Sequence, residues 1–199
     1  MTSNRDRKGR ALTALVFIAL WLDGSFYPLI LLPLLFTLYY MNEGLHTIGL
    51  GRAGLRPSIV LGLGVGLAVA VVYYPIFIHY LSRRPGEGLS FFALFTDLVW
   101  YPIYEEISYR GFFLGSFAEG RGRLSGRSLY LNLVQSMLFV LVHRNHISAG
   151  LHLLLIPILL LGFSMGLVFL RTRNIAGCIL GHSLVNGVSH LLYLMVGNG

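Results

Sequence analysis

Long apolar runs joined by short polar turns repeat from one end of this chain to the other, and that pattern restricts the fold more than any other feature. The runs lie at roughly 11–22, 26–41, 58–81, 90–117, 128–143, 147–171 and 174–197, and several reach the ~20 residues that a helix needs to cross hydrocarbon. Of the 199 residues 55% are hydrophobic and 12% charged, about half the charge of a soluble domain. The expectation is an all-α, polytopic transmembrane bundle of about six to seven segments, one membrane domain over 1–199 with no soluble domain. Residues 11–41 are read as a hairpin of two short spans, with a single tilted span as the alternative. The basic start RDRKGR with a short apolar core also resembles a cleavable signal peptide over 1–25. No small-residue cleavage site follows, so retention is expected.

The net charge of +7 does not point to nucleic acid, because the basic residues sit between apolar runs, where they act as topology signals. With a cytoplasmic N-terminus and the hairpin, most arginines fall inside and only Arg83, Arg84 and Arg144 outside. The expected location is the plasma (inner) membrane. Cys178 is the lone cysteine, which excludes an intrachain disulfide and a thiolate metal cluster; it reads as a small apolar packing residue. Gly62 and Gly66 in SIVLGLGVGLAVAV have the small-xxx-small spacing of closely packed membrane helices.

Against this apolar background, Glu105 and Glu106 in LVWYPIYEEISYRGFFLG stand out, because intramembrane acids are costly and usually mark a polar site or ion path. A helix turns about 100° per residue, so the two glutamates diverge while Glu106 and Arg110, at i and i+4, share a face. Arg110 then holds Glu106 as a structural ion pair and leaves Glu105 toward a cavity as a general base. His182 and Asn186 repeat the i, i+4 spacing, as do Phe139 and His143. Counting ~1.5 Å per residue from the proposed cytoplasmic helix ends puts Glu105, His143, His182 and Asn186 in one layer, ~12 to 22 Å deep.

A carboxylate, two imidazoles and a carboxamide suit peptide hydrolysis: Glu105 deprotonates a water with help from His143, and His182 and Asn186 donate to the oxyanion. The same Glu105, His143 and His182 are also ordinary zinc ligands. Two motif histidines beside a glutamate already needed as base fall short of the usual three protein ligands, so the metal-free route is the expectation, with zinc the alternative. A different functional class, a proton- or cation-coupled transporter, would use the same Glu/His cluster as a relay, although no inverted repeat is visible.

Three short motifs carry a resemblance: EEISYR at 105–110, FVLVH at 139–143 and HSLVN at 182–186. In that order on apolar helices the chain resembles the CPBP intramembrane proteases, the Abi or CAAX-protease and bacteriocin-processing family that includes the type II CAAX prenyl endopeptidases. The motifs place the catalytic core at about 90–190, and GLGRAGLRPS before a glycine-rich helix is also similar to members of the family. The resemblance implies an intramembrane endopeptidase with Glu105 as catalytic carboxylate, His143 as its partner, and His182 and Asn186 as the oxyanion pair. Glu106, Arg110 and Phe139 support the site. The family includes enzymes described as metalloproteases and as metal-independent glutamate proteases. Its substrates would be membrane-anchored: a prenylated tail, a bacteriocin leader or a C-terminal sorting signal.

Some features point elsewhere. HRNH at 143–146 offers His146 as an alternative to His143. GFSMG at 162–166 matches G-x-S-x-G but lies within an apolar helix, where Gly162 and Gly166 have packing spacing and no nucleophile elbow can form. No HExxH occurs. His46, His79, His152 and His190 read as interfacial, and Asp97 as a structural or vestibule residue.

Overall fold

The computed structural model describes residues 45–81, 91–118 and 124–197, and all regular structure among them is helical. Five principal helices form: α1 (Leu55–Leu81), α2 (91–117), α3 (Gly126–Val142), α4 (Leu155–Thr172) and α5 (Ala176–Gly197). A 3-10 turn at Leu45–Ile48 precedes α1, and two short turns, Asn145–Ser148 and His152–Leu154, join α3 to α4. Of the six to seven expected spans, two described helices, Leu55–Tyr80 and His152–Thr172, are long and apolar enough to cross a membrane, and Gly126–Val142 is a shorter apolar helix. The run at 11–41, the N-terminal orientation and the loop holding Arg83 and Arg84 lie outside the described residues.

Burial shows how α1 meets its surroundings. Only 22% of its apolar span is buried within the protein, and Val60, Leu67 and Val71 stand 67%, 60% and 67% exposed. Water would penalise such a surface, whereas lipid matches it, and the helix satisfies its own backbone hydrogen bonds as hydrocarbon requires.

The inner face of α1 packs on α5 through glycines. A Cβ added at Gly62 would collide with the Gly177 carbonyl, and one at Gly66 would sit 2.5 Å from the Gly181 carbonyl oxygen. The fit is reciprocal: Gly177 lies against the Ser58 carbonyl and Gly181 against that of Gly62. The spacing of Gly62 and Gly66 announced this approach, and the matching Gly177 and Gly181 complete it. Polar groups fasten the same end, where the Ser58 hydroxyl donates to the Asn174 carbonyl (2.8 Å) and accepts from the Gly177 amide (3.0 Å). Gly177→Ala is therefore expected to lower stability by about 1 to 3 kcal/mol, the usual cost of overpacking. Gly64, with nothing within 4 Å of an added Cβ, is the control, and Gly64→Ala should be neutral or slightly stabilising. Thermal unfolding in detergent checks both; equal melting temperatures for Gly177→Ala and the parent would refute the close approach.

Helix α2 packs against α3, α4 and α5, and residues 104–114 are buried without interruption. Around it Phe112, Leu114, Met165, Phe169, Ile175 and Cys178 form the core. Cys178 is fully buried, its thiol directed at the Met165 carbonyl at 3.3 Å, in keeping with a packing role. Glycine packing also explains GFSMG: Gly162 lies against Phe139 and Ser136, and an added Cβ at Gly166 would collide with the Asn132 side chain.

Candidate active site

Helix α2 is not a uniform α-helix. Its turns widen into π-helix at Thr96–Trp100 and again at Ile107–Leu114, and the regular segment Tyr101–Glu106 between them carries both glutamates. Wide turns of this kind are rare and recur at functional sites. They rotate the side chains that follow, and here Glu105, Glu106 and Arg110 all point into protein, at 4%, 0% and 0% exposure.

Glu106 and Arg110 form the expected ion pair, Oε1 to Nη1 at 3.1 Å. Arg110 also donates through Nη2 to the Gly162 carbonyl (2.9 Å) and lies over the Phe139 ring at 4.9 Å. Glu106, however, serves a second partner: the same Oε1 accepts from His182 Nδ1 at 3.0 Å. The opposite nitrogen of that ring, Nε2, faces Glu105 Oε2 at 3.7 Å. His182 thus stands between the two carboxylates, hydrogen-bonded to one and separated from the other by more than a hydrogen bond. The expected pairing of Glu106 with Arg110 is present, and the ring of His182 claims the same carboxylate as well.

His143 is the C-terminal cap of α3, just beyond Val142. Its Nδ1 lies 2.7 Å from the Phe139 carbonyl, which can only accept, so Nδ1 carries the hydrogen and a neutral ring leaves Nε2 as an acceptor. Phe139 is the hub of the aromatic contacts: its ring meets His143 at 4.9 Å, Tyr109 at 5.3 Å and His182 at 5.9 Å. The three motifs, spread over 82 positions of sequence from Glu105 to Asn186, therefore converge on one place in the bundle.

A cavity of about 100 Å³ opens beside them. Its polar lining is His143, His146, His182 and Asn186, and its apolar wall includes Leu154, Ile158 and Val185. Glu105, expected to face a cavity, is not among the lining residues; it sits across His182 Nε2 at 3.7 Å. His146 stacks on His143 at 5.8 Å, so both histidines of HRNH face the cavity. Tyr73 of α1 closes one side; it lies before the 90–190 core, and no motif marked it. Asn186 donates through Nδ2 to the backbone carbonyl of Asp97 (2.8 Å), and the Asp97 side chain pairs with His190 Nε2 at 3.0 Å. His190 is thus held within α5 rather than at a helix end.

A second polar group escaped notice in the sequence. Gln135 donates to the Asn132 side chain (2.8 Å), to the Ser136 hydroxyl (2.8 Å) and to the Gly162 carbonyl (2.9 Å), and Asn132 donates to the Phe163 carbonyl (2.9 Å). This ladder ties α3 to α4 beneath Arg110. Its signal was present as polar residues one turn apart in an apolar helix.

The zinc alternative named Glu105, His143 and His182. Among the described residues no three His, Cys, Asp or Glu side chains converge in a way that could hold a metal ion; the Nδ1 bonds of His143 and His182 leave both Nε2 atoms open, as a metal-bound imidazole also would.

Among the described residues, buried glutamate, arginine and histidine side chains thus meet beside a small cavity in a helical bundle. The chain belongs to the type II CAAX prenyl endopeptidase Rce1-like family, whose model matches residues 87–188. No curated protein and no solved structure matches the chain. The family consists of proteases, which makes this an integral membrane protein of the CAAX protease type and favours hydrolysis over transport.

Proposed function

We propose that the protein is an endopeptidase that cuts a membrane-anchored tail with a water activated by Glu105. The observation that carries this reading is the position of His182, hydrogen-bonded to Glu106 at 3.0 Å and facing Glu105 across 3.7 Å. In this scheme Arg110 and Glu106 hold the His182 ring, and Glu105 takes the proton of a water admitted from the cavity beside that ring. The water oxygen attacks the scissile carbonyl, and charge develops on its oxygen beside His182 and Asn186. His182 donates from Nε2 while its Nδ1 stays on Glu106, and Asn186 donates the amide hydrogen not used on Asp97. His143 orients the water through the Nε2 acceptor. Glu105 then passes its proton to the leaving nitrogen as the C–N bond breaks, giving an acid and an amine. No step passes through a metal ion.

The substrate class we favour is a prenylated tail, on the strength of the prenyl endopeptidase family whose model matches the chain. Asn186→Ala tests the oxyanion role. It should lower kcat on a farnesylated CAAX peptide by about 10² to 10³ with KM nearly unchanged, because such a donor acts mainly in the transition state. A rise in KM with kcat intact would assign Asn186 to substrate binding. The metal-free route is tested beside it: chelator-treated enzyme should keep its activity, and stoichiometric zinc lost together with activity in His143→Ala would refute it.

A further inference from the structure

The hydrogen bond that fixes Asn186 has its origin in a proline on another helix. In an α-helix the Asp97 carbonyl would accept from the amide of Tyr101, but through the wide turn Thr96–Trp100 the Tyr101 amide reaches back to Thr96 instead. In continued π geometry the next donor to Asp97 would be the amide of residue 102. That residue is Pro102, which has no N–H. The Asp97 carbonyl is passed over by one residue and cannot be served by the next, and a backbone acceptor without a partner is costly to bury. Asn186 Nδ2 fills the vacancy at 2.8 Å from α5.

We infer that Pro102 is a positioning residue for Asn186: by leaving the Asp97 carbonyl without a backbone donor, it anchors the Asn186 carboxamide and sets its second amide hydrogen toward the cavity. One N–H held on a fixed carbonyl fixes the plane of the amide. Asn186 also lines the cavity, so the free hydrogen has somewhere to act. Pro102 itself is buried and does not line the cavity, so it acts only through the backbone. The Asp97 to His190 pair (3.0 Å) closes the same junction between α2 and α5. This inference rests on the oxyanion role proposed for Asn186.

Pro102→Ala restores an N–H and is the direct test, assayed with a farnesylated CAAX peptide in detergent micelles. Released from its anchor, Asn186 should donate poorly, and kcat should fall about tenfold with KM within twofold. In the Asn186→Ala background the same change should cost almost nothing, since the two act through one group. A purely structural proline would slow both backgrounds equally, and that result, or parent-like kcat in Pro102→Ala, would overturn the inference. Unchanged kcat in Asn186→Ala alone would instead sink the oxyanion role.

The hydrogen bond can also be read without turnover. The chain has three aspartates, Asp6, Asp23 and Asp97, so carbonyl-labelled aspartate gives an infrared spectrum simple enough to follow Asp97. Asn186→Ala should shift one labelled carbonyl band upward as its hydrogen bond is lost. Absence of that shift would overturn the inference even if Pro102→Ala fails to fold.

Discussion

Glu105→Gln is expected to leave the protein inserted and folded but to cut its turnover by about 10² to 10⁴, the range supplied by a positioned general base. The substitution keeps size and shape and removes only the ability to take a proton. It should cost little in stability, because Glu105 makes no hydrogen bond to His182, which lies 3.7 Å away, while Glu106 and Arg110 form the ion pair beside it at 3.1 Å. Membrane-fraction yield and melting temperature should match the parent. A variant that cleaves at the parental rate would remove Glu105 from the chemistry.

The reverse split is expected one residue on. Glu106→Gln leaves the buried Arg110 guanidinium with the Gly162 carbonyl and the Phe139 ring but no counter-charge. Arg110→Leu leaves a buried carboxylate facing only His182. Breaking a buried pair from one side typically costs ~3 to 5 kcal/mol, so each single variant should accumulate poorly and melt early, while the double variant recovers part of the loss. Activity should not recover with stability, because His182 loses the charged acceptor that orients its ring. Single variants as stable as the parent, yet inactive, would move Glu106 into the chemistry.

The buried charges were more legible in the sequence than the geometry around them. Intramembrane charge is so costly that Glu105, Glu106 and Arg110 were conspicuous, and the i, i+4 spacing correctly paired Glu106 with Arg110. Glycine spacing likewise located the α1 face that meets α5. What spacing could not disclose was the sharing of Glu106 with His182, since that contact joins residues 76 positions apart. Nor could it place His143 as a helix cap. The π turns of α2 were hidden for a related reason: they depend on how neighbouring helices absorb unpaired carbonyls, and a regular 100° count passes through them unnoticed. Pro102 stands in plain view in LVWYPIYEEISYR, but its consequence for Asn186 appears only once α5 is alongside. Membrane topology rests on charge on both sides of the bilayer, and the first runs that would set it lie outside the described residues.

The most direct measurement of the central claim is mass spectrometry of a farnesylated CAAX peptide incubated in ¹⁸O-labelled water with purified protein in bilayer nanodiscs, parent and Glu105→Gln side by side. The account predicts that the parent shortens the peptide at its C-terminal end and places ¹⁸O in the new carboxyl group, while Glu105→Gln leaves the peptide intact. Intact peptide with both proteins, or equal shortening by both, would contradict it.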